Sequence, residues 1–114
     1  MLNRIDAQTQ SAIDAVERAR AFAAELAKLR GHGSASGVDV VVDQVGLTLG
    51  VTYTDGATRM APRALAHATM AALRAALDDA LVQVTQRTRE VWGDDPVSEQ
   101  IVAETAERFA VVPR

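Results

Sequence analysis

Two short β-segments lie between two long helical runs, and this mismatch in size limits what the chain can become. Val38-Asp39-Val40-Val41-Val42-Asp43 is β-branched, with Val38, Val40 and Val42 on one face. Leu47-Thr48-Leu49-Gly50-Val51-Thr52-Tyr53 repeats the period of two, with Leu47, Leu49, Val51 and Tyr53 on one face. Between them Gln44-Val45-Gly46 is a short turn, with Gly where a positive φ is expected. The segments read as a β-hairpin, and a lone hairpin is marginal in water.

The flanking runs carry the helical period. Leu2, Ile5, Thr9, Ala12, Val16, Ala19, Ala23 and Leu26 alternate in steps of three and four, and Ile13, Phe22 and Leu29 widen that seam on one flank. This predicts a long helix, packed on more than one neighbour, that stops near Arg30 with Gly31 as its C-terminal cap. Gly31–Gly37, with three glycines and two serines in sequence Gly-His-Gly-Ser-Ala-Ser-Gly, reads as a flexible linker. After the hairpin, Asp55-Gly56 ends the second strand and Ala57–Ala61 is a connector. Pro62 then opens a second long helix, with Leu65, Met70, Leu73, Leu77, Leu81, Val84 and Val91 at helical spacing as far as Trp92. Gly93-Asp94-Asp95-Pro96 breaks it. Asp95 as N-cap and Pro96 as first residue start a short helix with Val97, Ile101, Thr105 and Phe109 inward. The expected class is α+β, in the order long helix, hairpin or small antiparallel sheet, long helix, short C-terminal helix. Residues 1–92 form the helix-hairpin-helix domain and 93–114 an acidic helical extension.

Helices of about 40 Å, at 1.5 Å per residue, dwarf strands of six residues. The outer edge of the second strand has little to shield it, and its alternating side chains offer a template for a copy of itself. A twofold dimer with a shared sheet is the expected remedy, its interface formed by Val38, Val40, Val42, Leu47, Leu49, Val51 and Tyr53.

Few residues offer chemistry. The 114 residues contain no Cys, which removes disulfides, thiol nucleophiles and thiolate metal sites and suits a reducing compartment. The absence of an apolar run near the ~20 residues of a membrane span, and of a signal core after Met1–Asp6, makes an untargeted cytosolic protein the expectation. His32 and His67 have no acid or second His at metal-ligand spacing. Asp78 and Asp79 point about 100° apart on a helix and read as solvated surface, while Asp94-Asp95 reads as a helix start. Phosphate-loop, dinucleotide and nucleophile-elbow motifs do not occur. No enzyme, catalytic residue, metal or cofactor is expected.

The charge map says more. Net charge is −3, which excludes a uniformly basic coat. The acids gather in the hairpin and the tail, and the long helices are mildly basic. Were these helices antiparallel, Arg4 would come close to Arg87 and Arg89, while Arg4 and Arg18, fourteen residues apart, share a face. Arg4, Arg18, Arg20, Arg87 and Arg89 are therefore the candidate DNA-binding residues, doubled in a dimer to an estimated six to ten cations touching phosphate. The competing view has these arginines paired with Glu17, Glu25 and Glu90 on a solvated surface. Nothing in the sequence offers base-specific readout.

The order long helix, Gly/Ser linker, Val38–Asp43 strand, Gly46 turn, Leu47–Asp55 strand and Pro62-Arg63-Ala64-Leu65 helix start resembles the YbaB/EbfC family of bacterial nucleoid-associated proteins over roughly residues 3–92. The resemblance implies an intertwined homodimer with a shared sheet and two projecting helical arms that bind double-stranded DNA with little sequence preference, in the cytoplasm and on the nucleoid. The chain departs from that pattern at Ala61, where a polar cap is usual, at Arg63-Ala64, where a Glu-rich turn is common, and in its extension from Gly93. Some actinobacterial relatives of this fold are associated with type VII secretion. An adaptor that binds protein and not DNA, docking through the alanine-rich seam and the Trp92/Phe109 region, is the alternative expectation.

Overall fold

The computed structural model describes residues 2–110, with side chains from Asp6 onward. Four helices and one sheet follow in the order α1 (Leu2–Ala27), β1 (Gly31–Ala35), β2 (Val38–Val42), β3 (Thr48–Tyr53), α2 (Asp55–Thr58), α3 (Pro62–Trp92) and α4 (Pro96–Phe109). The α+β class and the helix, sheet, long helix, short helix order are as expected. The sheet is antiparallel in the order β1-β2-β3, so it has one strand more than the hairpin read from the sequence.

That extra strand is the segment taken for a linker. Its glycines answer a packing demand from α3. Gly31 and Gly33 are buried, and a Cβ on Gly33 would collide with the backbone of Ala72, Ala75 and Ala76; one on Gly31 would lie 2.7 Å from the Ala80 Cβ. Side-chain-free positions at a period of two thus face the Ala68, Ala72, Ala76, Ala80 stripe of α3 at a period of four, and helix and strand touch backbone to backbone. Ser36 and Gly37 both take positive φ, 50° and 83°, the two central residues of a tight hairpin turn between Ala35 and Val38. Gly31 is consequently no helix cap. α1 ends at Ala27, and the Arg30 guanidinium donates to the carbonyls of Ala27 (3.1 Å) and Leu29 (2.8 Å).

α3 covers one face of the sheet. Val38, Val40 and Val42 are buried beneath it with Leu77, Ala80 and Val84, which corrects their assignment to a dimer interface: they are the core of a single chain. Gly46 has the expected positive φ, and the Asp43 carboxylate accepts from the N–H groups of Val45 and Leu47 to hold that turn. α2 runs from the supposed strand end at Asp55 into the start of the supposed connector, capped by Thr54, whose hydroxyl accepts from the Ala57 N–H. α3 starts at Pro62 without a side-chain cap, and α4 starts at Pro96 under Asp95, both as read. α4 folds back along α3, so that Phe109 lies on Leu77 and against Gly46. Val97, expected inward, is exposed, and Ser98, one position on, is buried instead.

The molecule is elongated. Its extents are 74 × 21 × 17 Å and its radius of gyration 19.3 Å, against about 13 Å for a compact domain of this length. The cause is α1, in which every residue from Asp6 to Ala21 is exposed. Within the described part of this helix Phe22 is buried and Leu26 half-buried, and Leu29 follows just past its end, where the sequence led one to expect packing on several neighbours.

Candidate functional site

Two features of the surface stand out, the outer half of the sheet and the end of the molecule where α1 passes α3. In the sheet, β2 and β3 pair Val38 with Tyr53 and Val40 with Val51, so Tyr53 and Val51 share the face on which Val38 and Val40 are buried. α3 lies mainly over β1 and β2, and at β3 the Tyr53 hydroxyl lies 3.4 Å from the Thr69 Oγ1. Leu47, Leu49, Val51 and Tyr53 are left 61%, 48%, 40% and 42% exposed. Beside them Pro62, Leu65, Ala66, Thr69 and Met70 of α3 form the wall of a shallow apolar groove that Tyr53 closes.

The two edges of the sheet differ in kind. On the β1 side, the Asp79 carboxylate accepts from the outward His32 N–H at 2.8 Å, and the Gln83 side-chain amide donates to the Arg30 carbonyl at 2.8 Å and to Asp79 at 3.0 Å. One turn of α3 therefore caps the start of that edge with side chains. Asp79 is not the solvated surface acid that its sequence context suggested; the spacing Asp79-Gln83, i to i+4 on one helix face, was the available signal. On the β3 side every residue is exposed and, among the described residues, no strand pairs with the edge.

At the far end α1 and α3 run antiparallel, with an offset that the sequence did not reveal. Arg87 Nε lies 3.7 Å from Glu25, the rings of Phe22 and Trp92 meet edge to face at 6.0 Å, and the Arg18 guanidinium sits 5.9 Å from the centre of the Trp92 ring. Residues 18–25 of α1 thus lie beside residues 87–92 of α3. Arg18 and Arg87 lie at this contact, Arg20 and Arg89 are two positions along the same helices, and all four are exposed. The Arg4 side chain lies outside the described residues, and its position in α1, fourteen residues before Arg18, is about 21 Å further out along the helix, well past Arg87 and Arg89. Arg87 also donates to Glu90 at 3.1 Å. Exposed pairs of this kind contribute at most about 1 kcal/mol and give way to a phosphate.

Of the docking surface in the adaptor reading, Phe109 is buried and Trp92 half-buried, whereas Ala12, Ala19 and Ala23 of the first-helix seam are exposed. Among the described residues no group of three or more His, Cys, Asp and Glu side chains could hold a metal ion, and no helix is long and apolar enough to cross a membrane. No family model and no curated protein matches the chain.

Proposed function

We propose that the chain is a homodimeric DNA-binding protein of the nucleoid-associated type, akin to the YbaB/EbfC family, acting on duplex DNA in the bacterial cytoplasm with little sequence preference. The observation that carries this reading is that Arg18 and Arg87 lie at the junction where α1 leaves the body of the protein, with Arg20 and Arg89 exposed two positions along the same helices. The dimer joins through β3: two β3 strands pair antiparallel about a twofold axis and make one six-stranded sheet, with Leu49, Val51 and Tyr53 of both copies enclosed between the two α3 helices. Support for it comes from the open apolar edge, set against the β1 edge whose start Asp79 and Gln83 cap.

Arg87 and Arg18 are partly engaged, by glutamates and by Trp92, so the margin for phosphate falls on Arg20 and Arg89. Two such residues in each of two copies neutralise about four phosphates, which makes log K fall with log salt at a slope of about −3.6. A rise from 50 to 200 mM salt then weakens binding about a hundredfold. Fluorescence anisotropy on a labelled duplex of arbitrary sequence measures this. Absence of binding at the lower salt, or binding that ignores salt, overturns the reading.

A further inference from the structure

We infer that the free half of α1 is a second self-association surface, on which α1 of another copy lies antiparallel. The inference goes beyond DNA binding and holds whether or not β3 pairs. Ile13 and Val16 are 45% and 51% exposed on a helix with no neighbour over this stretch. With Thr9 and Ala12 they border a hollow, at positions i, i+3, i+4 and i+7, the four corners that receive a knob from a facing helix. A side chain the size of Val16 fits it.

The occupant follows from charge and symmetry. Thr9, Ala12, Val16 and Ala19 form a seam at the 3.5-residue period, and Asp6, Ile13 and Arg20 recur every seven residues along one side of it. When two such helices are laid antiparallel, Val16 of each enters the hollow of the other. Ile13 then meets Ile13 next to the twofold axis, and Asp6 of one copy faces Arg20 of the other at both ends. A parallel pair would hold Asp6 and Arg20 at opposite ends of the contact, about 21 Å apart, and pair neither with an opposite charge. The span from Asp6 to Arg20, about 21 Å, coincides with the part of α1 that buries nothing, and it ends where Phe22 begins to pack inside the chain. Pairing by the arms and pairing by β3 use different surfaces, so together they join more than two copies.

Sedimentation of the full chain over a wide concentration range tests this. In the Val51→Glu variant, whose β3 contact is disabled, the mass is expected to rise from one copy to two. Asp6→Arg or Arg20→Asp weakens that association about tenfold, by turning two attractive contacts into repulsive ones, and the two changes combined restore it to within about twofold. The chain has no native Cys, so a short bismaleimide is expected to crosslink a mixture of Asp6→Cys and Arg20→Cys proteins and to leave each alone uncoupled. A Val51→Glu protein that stays a single copy at every concentration overturns the inference, as does a charge swap that restores nothing. A Val51→Glu protein that behaves as the native chain does instead counts against the β3 pairing and leaves the arm test readable.

Discussion

Replacing Gly33 by Ala separates a strand built for contact from a linker built for freedom, because the two give opposite signs. In a flexible linker the substitution stabilises by about 0.4–1 kcal/mol, since the unfolded chain loses freedom and the folded chain meets nothing. In this protein the new methyl group would lie 2.8 Å from the Ala75 carbonyl carbon and nearer still to the Ala72 carbonyl oxygen and the Ala76 nitrogen. These are backbone atoms of a helix and cannot rotate aside. α3 must retreat from β1 by about 1 Å along the stripe from Ala72 to Ala80, and packing is lost at neighbours the substitution does not touch. Overpacking of this kind costs about 1–3 kcal/mol, and a helix backbone as the obstacle puts the expectation near 3 kcal/mol. At about 2.1 cal/mol/K per residue, 114 residues give an unfolding entropy near 0.24 kcal/mol/K, so Tm falls by about 12 °C. Thermal unfolding followed by circular dichroism reads it directly. Gly50→Ala is the control, as a Cβ there has nothing within 4 Å, and its Tm is expected to stay within about 2 °C. A Gly33→Ala protein as stable as the parent would refute the backbone-to-backbone packing of β1 on α3.

Other substitutions reach other parts of the argument. Phe109→Ala removes the side chain that joins α4 to Leu77 and Gly46; it is expected to cost about 3 kcal/mol and to open the segment after Trp92 to protease, as timed digestion will show. Val51→Glu places a charge on the exposed apolar side of β3, and light scattering is expected to find less pairing with the helical content unchanged. Arg20→Ala and Arg89→Ala each remove two cations from the proposed dimer and are expected to reduce the salt slope of DNA binding by about 1.8, equally for duplexes of different sequence. Asp79→Ala frees the His32 N–H and is expected to cost about 1 kcal/mol, with faster hydrogen exchange at that amide.

What the sequence made legible was local. Asp95 and Pro96 start a helix whatever surrounds them, since capping and a missing N–H belong to those residues themselves, and the alternation of Val38, Val40 and Val42 identifies a buried face without saying what buries it. Gly31 and Gly33 were opaque for the opposite reason. A glycine that gives flexibility and a glycine that gives room are the same residue, and only the alanines some forty positions later tell them apart. The candidate site divides in the same way. That Arg87 and Arg89 lie near the first helix follows from antiparallel packing, but which residues they meet depends on an offset set by Phe22 and Trp92, one aromatic on each helix, and the period alone does not fix it. Arg4 therefore lies past the end of its neighbour and not beside Arg87 and Arg89.

The unequal edges of the sheet bear on the kind of assembly the chain can form. A sheet with two open edges adds copies head to tail, β3 of one to β1 of the next, and nothing limits its growth. Here Asp79 takes the outward N–H of His32, and Gln83 takes the carbonyl of Arg30, so the groups that an incoming strand would need at that end of β1 are already bonded to α3. The bulge between Val41 and Val42 adds twist on the β3 side without closing it. On the proposed pairing, the remaining edge can meet only another β3, and that contact closes on itself. Asp79 thus takes a second role in that proposed assembly, guarding the start of β1, beside the roughly 1 kcal/mol it adds to stability. Asp79→Ala distinguishes the two roles when combined with Val51→Glu. If the carboxylate only stabilises, the double variant is a less stable single sheet. If it also guards the edge, Asp79→Ala alone forms species larger than the native chain at the same concentration, and Val51→Glu abolishes them by removing the β3 edge that such growth requires.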